Sequence, residues 1–433
     1  LAALYLAIGD FAKGEAFCRR ALDIREKVFG LDHPAVAISL NSLAELYNYS
    51  GKHAQAEILY LRALAINEKA FGPDHPNVAH LQNNLASLYF AVGEYSKAES
   101  MHLRALSIRE KALGSEHPDV ALSLNNIAVL KRVTGKYAEA GKLYRRALKI
   151  DEAALGSDHP NVSADLSNLA ELEAAQQNHL SALDFLKKGL AIQDREIQNI
   201  FTITTENQKL QFIQSISGYY EAFLSLIHQH LNADPKAVRE GLALVLRRKG
   251  IVFDAQARAR EALQGKMPEP VRKEWDRLSS LRGELSRLLI HKPEKMSAEQ
   301  YKSKLASLQQ QIEESERRLA SESTLVAKEL QQRTLTVEAV AKKLSRNSAL
   351  VEFVKVHDYD FAKGTWKTSW RYLAFVLTGD GNVTLVDLGE AGALEALAQR
   401  ALADIKTSLG TRGIQVLKKP GDIDPKQQNL KSL

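Results

Sequence analysis

Gly72-Pro73-Asp74-His75-Pro76 is one of four related stretches whose spacing decides the fold of this chain. The pattern Gly-x-x-His-Pro begins at Gly30, Gly72, Gly114 and Gly156, so each copy follows the previous one by 42 residues. Three further series keep the same step, namely Gly9, Gly51, Gly93 and Gly135; Leu22, Leu64, Leu106, Leu148 and Leu190; and Ala44, Ala86, Ala128 and Ala170. Four independent series with one period indicate a repeat architecture.

Each repeat is predicted to be a helical hairpin. Leu81, Leu85 and Leu88 recur at spacings of three and four residues, which places them on one face of a helix. Gly93 ends that helix, because glycine readily adopts the left-handed conformation that follows a helix end. Pro118 restarts the chain at a first-turn position, where its missing N–H costs nothing. One hairpin cannot bury its apolar stripe alone, so neighbouring hairpins are expected to stack into a solenoid with a concave inner face.

The repeat resembles the tetratricopeptide repeat, in the 42-residue form seen in kinesin light chains and many bacterial proteins. The stretches Leu124-Asn125-Asn126-Ile127-Ala128 and Arg104-Ala105-Leu106-Ser107-Ile108 are similar to that family's signatures. The resemblance covers residues 1 to about 195 and implies a protein-binding α-solenoid. Gln177 stands where earlier repeats have glycine, which indicates the end of the array. The chain opens at Leu1 inside a helix, which favours an N-terminal truncation.

Family geometry implies that three positions of each first helix face the concave side. One position holds Asn41, Asn83, Asn125 and Ser167, the second holds Glu45, Ser87, Val129 and Glu171, and the third holds Asn48, Phe90, Arg132 and Ala174. The candidate peptide-binding residues are Asn41, Asn83, Asn125, Ser167, Glu45, Ser87, Asn48, Phe90 and Arg132. An asparagine amide can both donate to and accept from the backbone of an extended peptide. The same asparagines can equally tie one repeat to the next, and both roles stay open.

Four histidines and one cysteine are candidates for a chemical role, but their positions do not support one. His33, His75, His117 and His159 occur once per repeat, whereas a metal site needs ligands within about 2 Å of one ion. We therefore predict loop and cap roles for them, and neither a metal nor a cofactor. Cys18 falls on a packed second-helix position and is expected to be a small buried hydrophobe. A single cysteine excludes a disulfide framework and favours the reducing cytoplasm.

Composition sets broad limits on the class of protein. The chain has 433 residues, of which 45% are hydrophobic and 25% charged, as in globular proteins. No apolar run approaches the ~20 residues that span a bilayer, so no membrane partner is expected. The net charge is +6, and residues 239–273 hold 9 Lys or Arg against 4 Asp or Glu. Nucleic-acid binding by these basic helices is a weak alternative, since little aromatic interleaving accompanies the charge. The oligomeric state is left open.

The second half of the chain loses the 42-residue step. We assign residues 1–195 to the repeats, 196–265 to a helical extension, 266–333 to a helical hairpin or coiled-coil neck, and 334–433 to part of an α/β domain. In the extension, Arg247-Arg248-Lys249 is read as a solvated face or as a dock for an acidic partner or domain. Strands are predicted at Ala349–Val356, Trp370–Leu377 and Val383–Leu388, with a helix from about Ala391 to Leu409. The expected fold is mainly α, an α-solenoid followed by a helical hairpin and a partial α/β segment.

This last segment resembles the start of a CHAT domain, the caspase-like domain that bacteria commonly join to tetratricopeptide repeats. The matching stretches are Leu350-Val351-Glu352-Phe353, Tyr372-Leu373-Ala374-Phe375-Val376-Leu377 and Val386-Asp387-Leu388-Gly389. The resemblance implies a parent protein in which the repeats regulate a caspase-like cysteine peptidase, with roles in bacterial regulated proteolysis or antiviral defence.

The chemistry of such a peptidase is absent from these residues. A caspase-like enzyme needs a thiolate nucleophile and a histidine that activates it. No cysteine follows Cys18, and the last histidine, His357, lies next to the first strand, where the family has no catalytic histidine. No catalytic residue is therefore assigned, and no activity is expected from this chain as given. A plain adaptor without protease function, as in kinesin light chains, is the alternative.

Overall fold

The computed structural model describes residues 11–201, 216–263, 269–290, 293, 296–322, 336–361 and 363–409. The helices of the array are α1 (Phe11–Phe29), α2 (Pro34–Tyr49), α3 (His53–Phe71), α4 (Pro76–Ala91), α5 (Tyr95–Leu113), α6 (Pro118–Val133), α7 (Tyr137–Leu155), α8 (Pro160–Ala175) and α9 (His179–Phe201). We call α2–α3 repeat A, α4–α5 repeat B, α6–α7 repeat C and α8–α9 repeat D. The predicted opening at Leu1 lies outside the described residues.

The remaining elements follow in chain order. They are α10 (Ser217–His230), α11 (Pro235–Leu263), α12 (Glu269–Ile290), α13 (Ala298–Glu322), α14 (Val337–Ala341), β1 (Ala349–Asp360), β2 (Thr365–Thr378), β3 (Val383–Glu390) and α15 (Ala391–Leu409). The three strands form an antiparallel sheet in the order β1-β2-β3. The predicted mainly helical solenoid is therefore confirmed, with a small sheet near the C-terminal end.

The Gly-x-x-His-Pro loop works as a helix start. In every copy the histidine is the N-cap, and its Nδ1 accepts the backbone N–H of the residue two positions later at 3.1 Å. Proline follows in the first turn, so the helix begins with fewer unsatisfied N–H groups. The glycine has a φ between +85 and +93°, which L-residues rarely adopt. The sequence motif is thus a stop signal and a start signal placed four residues apart.

Contacts between repeats recur with the same step as the sequence. Arg62 pairs with Glu26 at 2.8 Å, and the equivalent pairs Arg104–Glu68 and Arg146–Glu110 measure 3.2 and 2.7 Å. Such exposed ion pairs contribute at most about 1 kcal/mol each. The larger contribution comes from the interior, where the alanine series Ala44, Ala86, Ala128 and Ala170 is fully buried.

The array continues into the second half through one apolar core. Ala170 of repeat D belongs to the same buried cluster as Leu224 of α10, Leu242 of α11 and Phe375 of β2. The neck helices α12 and α13 form their own cluster, which includes Ala154 from the end of α7. The sheet and the neck thus both pack against the C-terminal end of the solenoid.

Strands β1 and β2 are longer than the sequence predicted. The first strand was expected to end at Val356, but pairing with β2 continues through Asp360, with a register shift between His357 and Tyr359. Packing overrides the weak local preference of this polar stretch, since Tyr359 and Asp358 are buried.

Among the described helices, none is both long enough and apolar enough to cross a membrane.

Repeat D keeps the hairpin geometry without the glycine. Gln177 adopts a φ of 63° and, among the described residues, is the one non-glycine residue with positive φ. The left-handed conformation costs an L-residue roughly 1 kcal/mol.

We expect Gln177→Gly to raise the free energy of unfolding by about 1 kcal/mol, because glycine adopts this conformation without strain. The neighbouring Gln176 has a φ of −90°. Gln176→Gly is the matched control and is expected to lower stability by roughly 0.5 kcal/mol through backbone entropy. Urea denaturation followed by circular dichroism measures both; a loss of stability in Gln177→Gly contradicts the account.

Candidate peptide-binding groove

The first helices of repeats A and B present an open stretch of the groove. Asn41 donates from Nδ2 to Glu45 Oε1 at 3.0 Å. Asn84 of the next repeat donates from Nδ2 to Asn41 Oδ1 at 2.9 Å and to Glu45 Oε1 at 3.0 Å. Asn84, which the sequence analysis missed, thus bonds two predicted residues of repeat A across the repeat boundary. The Asn83-Asn84 doublet, matched by Asn125-Asn126, was the signal for it.

The asparagine series makes hydrogen bonds between repeats and within the hairpin. Asn83 is 9% exposed, and its Oδ1 accepts from Asn126 Nδ2 at 2.7 Å. The same oxygen lies 3.1 Å from His102 Nδ1. Burial lowers the pKa of His102 to about 4, so the imidazole is neutral and can donate one hydrogen bond here. Asn125 donates to Asp165 Oδ1 at 2.5 Å. Much of the hydrogen-bonding capacity of the asparagine series is therefore used inside the array.

The other open positions are more available to a ligand. Ser87 is exposed, with its Oγ donating to Asn83 O at 3.1 Å. Phe90 is half-buried beside Tyr95, and Asn48 Oδ1 lies 3.1 Å from His53 Nδ1.

Exposed apolar side chains flank these polar groups. Ile38, one turn before Asn41 on the same helical face, is 60% exposed, and Tyr49 at the other end of α2 is 68% exposed. An open surface with amides, a carboxylate and exposed apolar side chains suits an extended peptide that has both polar and apolar groups.

In repeats C and D the chain itself covers the groove. Arg132 is 6% exposed and pairs with Glu171 at 2.8 Å. Tyr359, near the end of β1, donates its hydroxyl to Glu171 Oε1 at 2.7 Å. Burial raises the pKa of Tyr359, which keeps this hydroxyl protonated. Gly364 lies directly against the Arg132 guanidinium. The predicted position Ser167 is buried as well.

We call residues 359–361 and 363–366 the hairpin tip, because they join the paired ends of β1 and β2. The tip is also held from α10, where Ser225 Oγ accepts the N–H of Tyr359 at 2.9 Å. Gln229 Nε2 donates to Tyr359 O at 3.2 Å. Phe361 packs edge-on against His230, whose ring stacks on His179 of repeat D at 4.1 Å. Sequence reasoning found no sign of this contact.

The four loop histidines use their Nδ1 atoms to cap the helices that follow them. Those of repeats A, B and C are partly or fully exposed, whereas His159 is buried and its Nε2 donates to Leu289 O of α12 at 3.0 Å. Burial lowers the pKa of His159, which favours the neutral ring with Nδ1 as acceptor. Within the described residues, no group of three or more His, Cys, Asp and Glu side chains could hold a metal ion. Cys18 is free and buried.

The basic cluster on α11 docks against acidic groups of the chain's own neighbouring elements, which was one of the alternatives that the sequence left open. Arg247 and Arg248 pair with Asp194 of α9 at 3.4 and 2.8 Å, and Lys249 pairs with Glu352 of β1. These ion pairs connect the extension to the array and to the sheet, while the side chains of Arg247 and Lys249 remain partly exposed. The remaining basic residues at 250–268 have side chains outside the described part of the chain.

A buried pair of carboxylates marks the interface between repeats C and D. At the equivalent positions, Arg25 donates to Ser39 Oγ and Arg109 to Ser123 Oγ, both at 2.7 Å. Here Asp151 and Asp165 take those places, and both are almost fully buried. Burial raises the pKa of Asp151 to about 6 and that of Asp165 to about 7, while hydrogen bonds from Asn161 and Asn125 oppose the shift.

These raised pKa values predict a pH-dependent array. The folded protein keeps protons that unfolded aspartates lose near pH 4, so the contribution of this pair to stability is fully present below about pH 4 and is lost as the pH rises through 6 to 7. Asp165→Asn should remove much of this slope and add about 2 kcal/mol at pH 8, since one pKa unit corresponds to about 1.4 kcal/mol.

The measurement is urea denaturation at pH 5 and pH 8. Asp74→Asn, at a well-exposed site, serves as the control and should change the free energy of unfolding at neither pH. A variant Asp165→Asn whose stability still falls as steeply from pH 5 to pH 8 as that of the unchanged chain rules out this origin of the pH dependence.

The tetratricopeptide repeat family model matches residues 1–69, 47–111, 77–132 and 119–195. The predicted resemblance is therefore confirmed for this part of the chain, which consists of tetratricopeptide repeats. No protein of curated function matches the chain.

Several solved structures are similar to the array. A candidate kinesin light chain of Podosopora anserina, with nearly identical TPR-like repeats, is 28% identical over 45% of this chain and 92% of that chain, with a TM-score of 0.39. BtubC (BKLC) from P. vanneervenii is 23% identical over 60% of this chain and 94% of its own, with a TM-score of 0.42. A Rap protein complexed with Competence and Sporulation Factor is 14% identical over 74% of each chain, with a TM-score of 0.42.

Proposed function

We propose that this chain is a protein-binding sensor in which the repeat groove captures an extended segment of a partner protein, and that capture controls the α/β segment as the first part of a caspase-like CHAT domain. The proposal rests on where the hairpin tip packs, against Glu171 and Arg132, and we call this place its seat. A strand of the α/β segment ends on Glu171 and Arg132, which are groove positions of the repeats.

The open part of the groove supports the capture step. Ile38, Tyr49 and Ser87 are exposed on first helices that form the inner wall of a tetratricopeptide array. Extended peptides gain affinity from apolar side chains that fit such a surface and specificity from polar groups beside them.

The contacts between groove and sheet support the control step. Tyr359 lies in the same strand as Val354 and Val356, which belong to the core shared by repeat D, α10 and the sheet. A partner that changes the curvature of repeats C and D would therefore also change the packing of β1 against them. This coupling separates the proposal from a plain adaptor, in which binding leaves the sheet unchanged.

A photo-crosslinking side chain at Ser87 should attach to the partner, since Ser87 is exposed on the groove helix α4. With the partner identified, Ile38→Ser is expected to weaken its binding at least tenfold, because loss of a buried isoleucine contact costs about 1.5–3 kcal/mol. Ile58→Ser is the matched control: Ile58 belongs to the same repeat and is 66% exposed, but it lies on the second helix α3. Its affinity should stay within twofold.

Equal losses in both variants count against groove binding. Hydrogen exchange of β1 to β3 then decides the second step. Altered exchange with partner bound supports control of the sheet, and unaltered exchange leaves the plain adaptor.

A further inference from the structure

We propose that the hairpin tip is a built-in ligand of the groove, and that a partner segment with the same chemistry competes for its seat. That segment is an extended stretch with a tyrosine followed two residues later by a second aromatic side chain. The inference rests on the proposed function, because it names the class of partner that the groove accepts and the element that the partner displaces.

The seat matches a tyrosine hydroxyl. Glu171 uses one carboxylate oxygen for Arg132 and the other for the Tyr359 hydroxyl. Arg132 and Tyr359 are each 6% exposed, and the Glu171 side chain between them is 23% exposed. A hydrogen bond to a carboxylate is among the stronger kinds, which makes the hydroxyl a recognition feature as well as a packing one.

The second aromatic and the turn complete the match. Tyr359 meets Phe361 and Trp366 edge-on, at centroid distances of 5.0 and 4.7 Å. Gly364 has a φ of +68°, and a Cβ there would lie 2.8 Å from a terminal nitrogen of Arg132. Glycine therefore favours both the turn and the close approach of the tip to Arg132.

The seat is continuous with the open half of the groove. Glu171 occupies in repeat D the position that Glu45 occupies in repeat A, and both carboxylates accept hydrogen bonds on the concave side. A peptide that follows the first helices from repeat A toward repeat D meets the tip at Arg132. The rest of the sheet has its own anchor, since Leu373, Phe375 and Leu377 are buried in the core with α10. Tyr359 and Phe361 of the tip belong to that core as well, so displacement of the tip exposes both side chains, while the buried residues of β2 keep the sheet packed on α10.

The test uses the full chain and a fluorescein-labelled peptide with the sequence of residues 354–367, followed by anisotropy. The unchanged chain should bind the peptide weakly, because its own tip fills the seat. Gly364→Ala should bind it at least tenfold more tightly, since the positive φ and the close contact of the added methyl with Arg132 both destabilise the bound tip. Gly381→Ala is the matched control: Gly381 also has positive φ, in the β2–β3 turn, but nothing lies within 4 Å of a Cβ there. It should bind like the unchanged chain.

Two further measurements locate the binding. A peptide with phenylalanine in place of its tyrosine should bind Gly364→Ala at least fivefold more weakly, and Glu171→Ala added to that variant should cause a similar loss. Equal peptide affinity of Gly364→Ala and Gly381→Ala overturns the proposal, as does tight binding that ignores Glu171.

A measurement without any variant guards against misfolding. Lys363 in the tip has a well-exposed side chain. An excess of a shorter peptide with the sequence of residues 356–362, which contains no Lys or Arg, should speed cleavage by trypsin at Lys363 at least fivefold in the unchanged chain. A scrambled peptide should not, and equal rates with both peptides contradict displacement. Failure of this inference can be distinguished from failure of the proposed function. If a partner is crosslinked at Ser87 but the peptide does not speed trypsin cleavage at Lys363, only this inference is contradicted. If the peptide binds but no partner is crosslinked, only the proposed function is contradicted.

Discussion

One hydrogen bond starts every repeat, from a backbone N–H to the Nδ1 of a loop histidine two residues earlier. It fixes the first residue of each first helix, and the glycine three residues before the histidine fixes the last residue of the helix before it. Because both ends of the loop are fixed, each copy of the hairpin is placed in the same way on the one before. The groove, the ion pairs between repeats and the buried alanine series all inherit their regularity from that constraint.

The departures from regularity lie at the C-terminal end of the array, where the other elements pack. Gln177 takes a glycine's conformation, Asp151 and Asp165 replace an arginine–serine pair, and the fourth loop histidine bonds the neck. The hairpin tip covers the groove in the same two repeats. In repeats A and B, Ile38, Tyr49 and Ser87 remain exposed, so the solenoid is divided into an open half and a half that packs against the rest of the chain.

The sequence allowed the local features to be predicted. Periodicity located the hairpins, and short apolar runs located the strand centres, because both patterns follow from which side chains are buried. It could not show that Tyr359 reaches Glu171 across 188 positions, since no local pattern records such a contact. For the same reason the sequence left open whether Arg247-Arg248-Lys249 is a solvated face or a dock for an acidic partner or domain, and only the fold pairs each of these cations with an acidic side chain from a distant element. The asparagine series was visible in the sequence, but its hydrogen-bond partners depended on the stacking of adjacent repeats.

The central claim is that groove and sheet are coupled through the Tyr359–Glu171 contact. A double-mutant cycle of Tyr359→Phe and Glu171→Ala on the full chain, read from urea denaturation, measures that coupling directly. The account predicts a coupling free energy of about 1–2 kcal/mol, typical of a hydroxyl donating to a carboxylate. Effects that add to within about 0.3 kcal/mol would mean that the two residues are independent, and would contradict it.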